Sequence, residues 1–98
     1  MKVDEVDESL ISKHCVVKYD NTPYPGIIVD VDEDDLEIKV MHRIGRNRFF
    51  WPAMDDVLWY KPSQLITLLD LAPQPVTNRH MKLDDTVWQL IEDEFDDL

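Results

Sequence analysis

The stretch Tyr24-Pro25-Gly26-Ile27-Ile28-Val29-Asp30-Val31-Asp32-Glu33-Asp34-Asp35-Leu36-Glu37-Ile38-Lys39-Val40-Met41 decides the fold, because its apolar residues alternate on both sides of an acidic turn. Ile27, Val29 and Val31 fall on one face of an extended strand, and Leu36, Ile38 and Val40 resume the alternation after Asp32-Glu33-Asp34-Asp35. This predicts a β-hairpin that keeps Asp30, Glu37 and Lys39 in water and covers a core on one side only. Gly26 stands where the first arm begins, a place suited to a bend or a close approach of backbone.

Outward from the hairpin, His14-Cys15-Val16-Val17-Lys18-Tyr19 reads as a strand with Cys15, Val17 and Tyr19 on one face, and Asp20-Asn21-Thr22-Pro23 turns the chain. Residues 41–47 read as a loop. Arg48-Phe49-Phe50-Trp51 is a short aromatic strand ended by Pro52, which has no N–H to give a ladder. Val57-Leu58-Trp59-Tyr60 continues it, residues 61–64 make one helical turn, and residues 65–69 form a last strand. Short strands at short intervals predict an all-β fold, a small barrel over residues 14–70 with Val17, Ile27, Val29, Ile38, Val40 and Leu65 inside. Residues 1–13 are expected as a flexible acidic arm with a turn of helix near Glu8 to Ile11, and residues 71–82 as a Pro-containing linker. Residues 83–98 are expected as an acidic amphipathic helix, capped by Asp84 or Asp85, with Trp88, Ile91, Phe95 and Leu98 as its apolar stripe.

The chain has 98 residues, enough for one domain with a small core. Its net charge of -11 disfavours nucleic acid, whose backbone is bound by excess Lys and Arg, and suits a basic partner; acidity also serves solubility alone. Cys15 is the only cysteine, so an internal disulfide and a cysteine-rich zinc site are excluded. No apolar run is long enough for a membrane span, and the first residues lack the features of a signal peptide. A nuclear or cytoplasmic, reducing compartment is the expectation.

Chemistry-bearing patterns are sparse. His14 and Cys15 point to opposite faces of a strand, which is wrong for a Cys-His pair, and His42 and His80 lack metal-like partners in spacing. Asp30, Asp32 and Asp34 begin like a calcium loop, but Asp35 stands where Gly is needed and Met41 where the terminal Glu belongs. Arg43, Arg46 and Arg48 share one segment, and pairing with the chain's own acids explains them better than phosphate does. No catalytic residue, metal or cofactor is expected.

The runs Cys15-Val16-Val17-Lys18-Tyr19, Tyr24-Pro25-Gly26-Ile27-Ile28, Glu37-Ile38-Lys39-Val40-Met41 and Gly45-Arg46-Asn47 resemble the Tudor domain, a five-stranded SH3-like barrel. That resemblance implies an aromatic cage for methylated lysine or arginine, with Tyr19 and Tyr24 as its first two walls and Asn47 as the polar residue beside them. Met41 and Ile44 stand where further aromatics are expected, which leaves Phe49, Phe50 or Trp51 to complete the cage. The longer string, with Tyr-Pro-Gly, Met-His, Gly-Arg-Asn-Arg-Phe-Phe-Trp-Pro and Trp-Tyr, also resembles a poorly characterised animal family, from which no activity follows.

The expected ligand rim is therefore Tyr19, Tyr24, Met41, Asn47, Phe49 and Trp51, with Asp20 and Asp56 as counter-charges, and the expected ligand a basic or methylated peptide such as a histone-like tail. The alternative keeps Tyr19 and Tyr24 as plugs of the barrel end, and makes the chain an adaptor that recruits a partner through its acidic helix or an exposed aromatic surface. In the tail, Asp84-Asp85-Thr86-Val87-Trp88-Gln89-Leu90-Ile91 resembles the short motif by which autophagy cargo binds ubiquitin-like receptors. Trp88, Ile91 and Phe95 are then either partner-binding residues or a face packed back on the barrel. Oligomeric state is left open by the sequence.

Overall fold

The structure, a computed structural model, describes residues 5–95. Among these residues nine strands and one α-helix follow in chain order: β1 (His14–Tyr19), β2 (Thr22–Asp32), β3 (Asp35–Val40), β4 (His42–Gly45), β5 (Arg48–Phe50), β6 (Asp56–Tyr60), β7 (Leu65–Leu68), β8 (Gln74–Pro75), β9 (Met81–Lys82) and α1 (Asp85–Glu94). They form two antiparallel sheets, ordered β6-β3-β2-β1-β7 and β4-β5-β9-β8. A 3-10 turn, Pro62–Gln64, carries the chain from β6 at one edge of the first sheet to β7 at the other, so the sheet is rolled into a barrel-like shape. The fold is all-β with one short C-terminal helix, as the sequence predicts.

Local chemistry explains the turns. Asp20 and Asn21 both have positive φ, 50° and 59°, and make the two-residue connection between paired Tyr19 and Thr22. Two left-handed residues match the twist of a tight hairpin, and Asp and Asn tolerate that conformation best after glycine. Gly26 answers to packing instead. A Cβ there would lie 2.7 Å from the Lys39 carbonyl oxygen and 2.8 Å from Ile38 Cγ2, so no side chain fits between β2 and β3.

The β2–β3 hairpin forms as expected, but a bulge changes which residues enter the core. Ile28 pairs with Ile38 and Asp30 with Glu37, which leaves Val29 as the extra residue in β2. Each residue before the bulge therefore faces opposite to the simple alternation. Ile28 is fully buried, Ile27 is half-buried on the other face, and Val29 is exposed, so Ile27 and Val29 are corrected out of the expected core. Val17, Ile38, Val40 and Leu65 are buried as expected, with Leu10, Cys15, Leu36 and Tyr60 beside them.

A second core lies on the other side of β1. Val16, Met41, Phe49, Leu83, Trp88 and Ile91 fill it, and Trp51, Ile66 and Phe95 pack partly against it. Two corrections follow from this layer. Residues 41–47, expected as a loop, contain β4, which pairs with β5 through His42↔Phe50 and Arg43↔Phe49. The aromatic β5 accordingly belongs to the second sheet, apart from β6. Within the expected linker, β8 and β9 pair with each other, and Met81 of β9 pairs with Phe49, which ties this segment to the second sheet.

The end of the acidic arm is also anchored. A 3-10 turn at Glu8–Leu10 is capped by the Asp7 side chain, Leu10 is buried in the first core, and the Ser12 N–H donates to the Ile28 carbonyl at 2.7 Å. In α1 the Asp84 carboxylate accepts from the N–H groups of Thr86 and Val87, the capping expected from sequence. Leu98, expected to extend the apolar stripe of this helix, lies outside the described residues.

Candidate functional site

Three strands bring aromatic side chains to one open pocket of about 430 Å³. Tyr19 ends β1 and Tyr24 sits near the start of β2, so the tight turn between them holds both at the same end of the sheet. The third wall comes from β6. Asp56, Leu58 and Tyr60 alternate on the face that pairs with Val40, Ile38 and Leu36, and all three line the pocket. Met41 and His42 complete it where the chain leaves β3.

The three tyrosines differ in depth. Tyr19 is half exposed, Tyr24 is half-buried, and Tyr60 is buried at the base. Burial pushes the Tyr60 phenol up to about 12, and the neighbouring Asp56 charge adds to it, so this ring stays neutral in physiological conditions. Among the described residues Asp56 is the only acid lining the pocket, and its Oδ2 is 2.9 Å from His42 Nε2. The His42 ring meets Phe50 edge-on, with centroids 5.8 Å apart, which fixes the imidazole over the carboxylate. The pocket thus places one carboxylate beside three aromatic rings. Arg43 also lines the pocket, but its Nε donates to the Gly45 carbonyl and its guanidinium stacks over Trp88 at 5.9 Å. Its charge is thereby turned toward the second core.

Of the residues expected at the rim, the structure brings together Tyr19, Tyr24 and Met41, the last fully buried behind the pocket. Asn47, Phe49 and Trp51 lie elsewhere because β4 and β5 fold into the second sheet. Asn47 is buried and holds the backbone of Leu83, accepting from its N–H at 2.9 Å and donating to its carbonyl at 3.0 Å. Phe49 is fully buried edge-on to Trp88, with centroids 5.9 Å apart. Trp51 lies under the Lys39 ammonium at 5.1 Å, and Lys39 also pairs with Asp55 at 3.4 Å. Tyr60, Leu58 and His42 were missing from the sequence-based rim. The signal for two of them was present: alternation puts Tyr60 and Leu58 on the same face as Asp56, a residue the sequence suggested as a counter-charge.

The tail residues are largely internal. Trp88 and Ile91 are buried against Phe49 and Met41, and Phe95 is half-buried. Glu92 accepts from the Arg46 guanidinium and from Trp88 Nε1, and Arg46 holds its carboxyl below the usual range. This ion pair pins the helix to the β4–β5 turn.

A groove of about 450 Å³ between β7 and α1 is floored by Ile66, Leu69, Leu83, Val87 and Ile91 and has no aromatic wall. Cys15 is enclosed in the first core, where burial pushes its thiol up to about 12. Among the described residues no group of three or more His, Cys, Asp or Glu is placed to hold a metal ion, and no helix is long and apolar enough to cross a membrane. No family model, no curated protein and no solved structure matches this chain.

Proposed function

We propose that the protein is a non-catalytic, Tudor-like binding module that takes a methylated lysine or arginine side chain of a basic peptide into the Tyr19–Tyr24–Tyr60 pocket. One observation carries this reading: three tyrosines and the Asp56 carboxylate line a single open pocket in a protein of net charge -11. A methylated ammonium is large and weakly hydrated, and an aromatic face attracts it by about 0.5–2 kcal/mol depending on desolvation. Asp56 adds selectivity for a cation, and the overall charge favours encounter with a basic chain. The return of β7 to pair with β1 after a 3-10 turn, together with Tyr19 and Tyr24 at the pocket, supports the Tudor-like comparison.

A single buried cysteine fits a reducing compartment, nuclear or cytoplasmic. For the adaptor alternative, Trp88 and Ile91 are buried, which leaves the outer face of α1 with Leu90 and the exposed strand β6 as the surfaces a partner could use. NMR titration with trimethyl-lysine, dimethyl-arginine and unmodified lysine tests the proposal. The methylated amino acids are expected to shift Tyr19, Tyr24 and Tyr60 signals, and Tyr24→Ala to remove the effect without unfolding. Absence of any shift at those rings overturns it.

A further inference from the structure

Strand β6 is an edge of the first sheet, and among the described residues its ladder partner is β3 alone. Soluble proteins usually protect such an edge with a lysine, a proline or a bulge within the strand. β6 has none of these: Asp56-Val57-Leu58-Trp59-Tyr60 runs in unbroken register against β3, with Val57, Leu58 and Trp59 exposed by 37%, 43% and 48%. Consecutive exposure means that side chains on both faces of this edge strand reach solvent. The inner face of this same strand, through Asp56, Leu58 and Tyr60, is one wall of the tyrosine pocket.

We propose that an extended, basic segment of a partner protein pairs with β6 as an added strand, and that this backbone pairing aims one of its side chains into the tyrosine pocket. An added strand places alternate side chains on the pocket side at intervals of about 7 Å, and main-chain hydrogen bonds supply affinity while the pocket supplies choice. Charge selects the occupant. Beyond Tyr60, whose partner is Leu36, the hairpin tip carries exposed Asp32, Glu33 and Asp34, while the nearby cations Lys61 and Lys39 are engaged by Asp35 and Asp55. A second copy of this chain would bring another -11 charge to the edge, which opposes edge-to-edge self-pairing, whereas a lysine- or arginine-rich strand is attracted. The inference deepens the cation-pocket reading and rests on it only for the side chain that enters.

The test uses short lysine-rich synthetic peptides with a central trimethyl-lysine, in three forms: unmodified, or N-methylated on one or the other alternate set of backbone amides. In an added strand only one set donates to the edge. Hydrogen exchange should show β6 amides protected by the unmodified peptide, with affinity lost by about tenfold or more, equivalent to about 1.4 kcal/mol or more, for one N-methylated set and retained for the other. Equal binding by all three peptides, with β6 amides unprotected, overturns strand pairing; if free trimethyl-lysine still shifts the tyrosines, the pocket reading survives. Protection of β6 by peptide without any response to free trimethyl-lysine separates them the other way, sustaining strand pairing and sinking the pocket. Concentration-dependent dimerisation that protects β6 without peptide overturns the proposal in favour of a second copy.

Discussion

Replacing Asn47 tests whether it braces the second core, as the geometry has it, or contacts ligand, as the sequence resemblance implies. Its side chain satisfies both the N–H and the carbonyl of Leu83, and its own φ is 51°. Leaving a buried polar partner unsatisfied costs about 1–3 kcal/mol, so losing both bonds costs about 2–6 kcal/mol. Water entering the space of the missing amide recovers part of this, which puts Asn47→Gly at about 2–4 kcal/mol. Asn47→Ala loses the same bonds and adds about 1–2 kcal/mol of left-handed strain, offset by the about 0.5–1 kcal/mol of chain entropy that glycine loses on folding. Alanine should therefore be the worse variant by about 0.5–1 kcal/mol. Against a total stability of about 5–15 kcal/mol, either change is large. Urea unfolding followed by tryptophan fluorescence measures both, and the binding of trimethyl-lysine to the folded variants should be unaltered. A loss below about 1 kcal/mol together with lost ligand binding would refute the bracing role and return Asn47 to the rim.

Three further outcomes follow from packing and charge. Trp88→Ala removes the ring that meets Phe49 and should lower stability by about 3–5 kcal/mol in urea unfolding, while a free tail would show no change. Gly26→Ala drives a methyl against the Lys39 carbonyl and Ile38, and should cost about 1–3 kcal/mol or more in thermal unfolding, because the nearest obstacle is backbone. The Tyr60 phenol is held protonated up to about 12 when folded and ionises near 10 when unfolded, so the unfolded chain releases its proton first. Stability is then full below about pH 10 and falls as pH rises from there through about 12. Phenolate absorbance should show a last step that Tyr60→Phe removes.

Much of the fold was legible because alternation is a direct consequence of strand geometry: the Leu36-Ile38-Val40 face, the turn at Asp20-Asn21 and the single turn before β7 all stand where sequence puts them. What misled the reading was the bulge at Val29. One unpaired residue reverses the facing of a strand, and valine at that position has the same pattern as a core residue. The second sheet was hidden for a different reason. Its strands β8 and β9 are two residues long, and β9 is held by pairing with Phe49, which is distant in sequence, so local propensity gives no signal. The same packing drew Phe49 and Asn47 away from the expected rim, while Tyr19 and Tyr24 stayed because the hairpin turn joins them directly. Tyr60 arrives through the pairing of β6 with β3, and that pairing spans an intervening hairpin.

The most direct test of the tyrosine pocket compares trimethyl-lysine with its neutral carbon isostere, a tert-butyl side chain of nearly the same shape, in one basic peptide by isothermal titration. The two differ in charge alone, so a cation held by Tyr19, Tyr24, Tyr60 and Asp56 should bind about tenfold tighter or more, about 1.4 kcal/mol, with the difference lost in Tyr24→Ala. Equal or tighter binding by the neutral isostere would contradict the account, since a merely apolar pocket has no preference for charge.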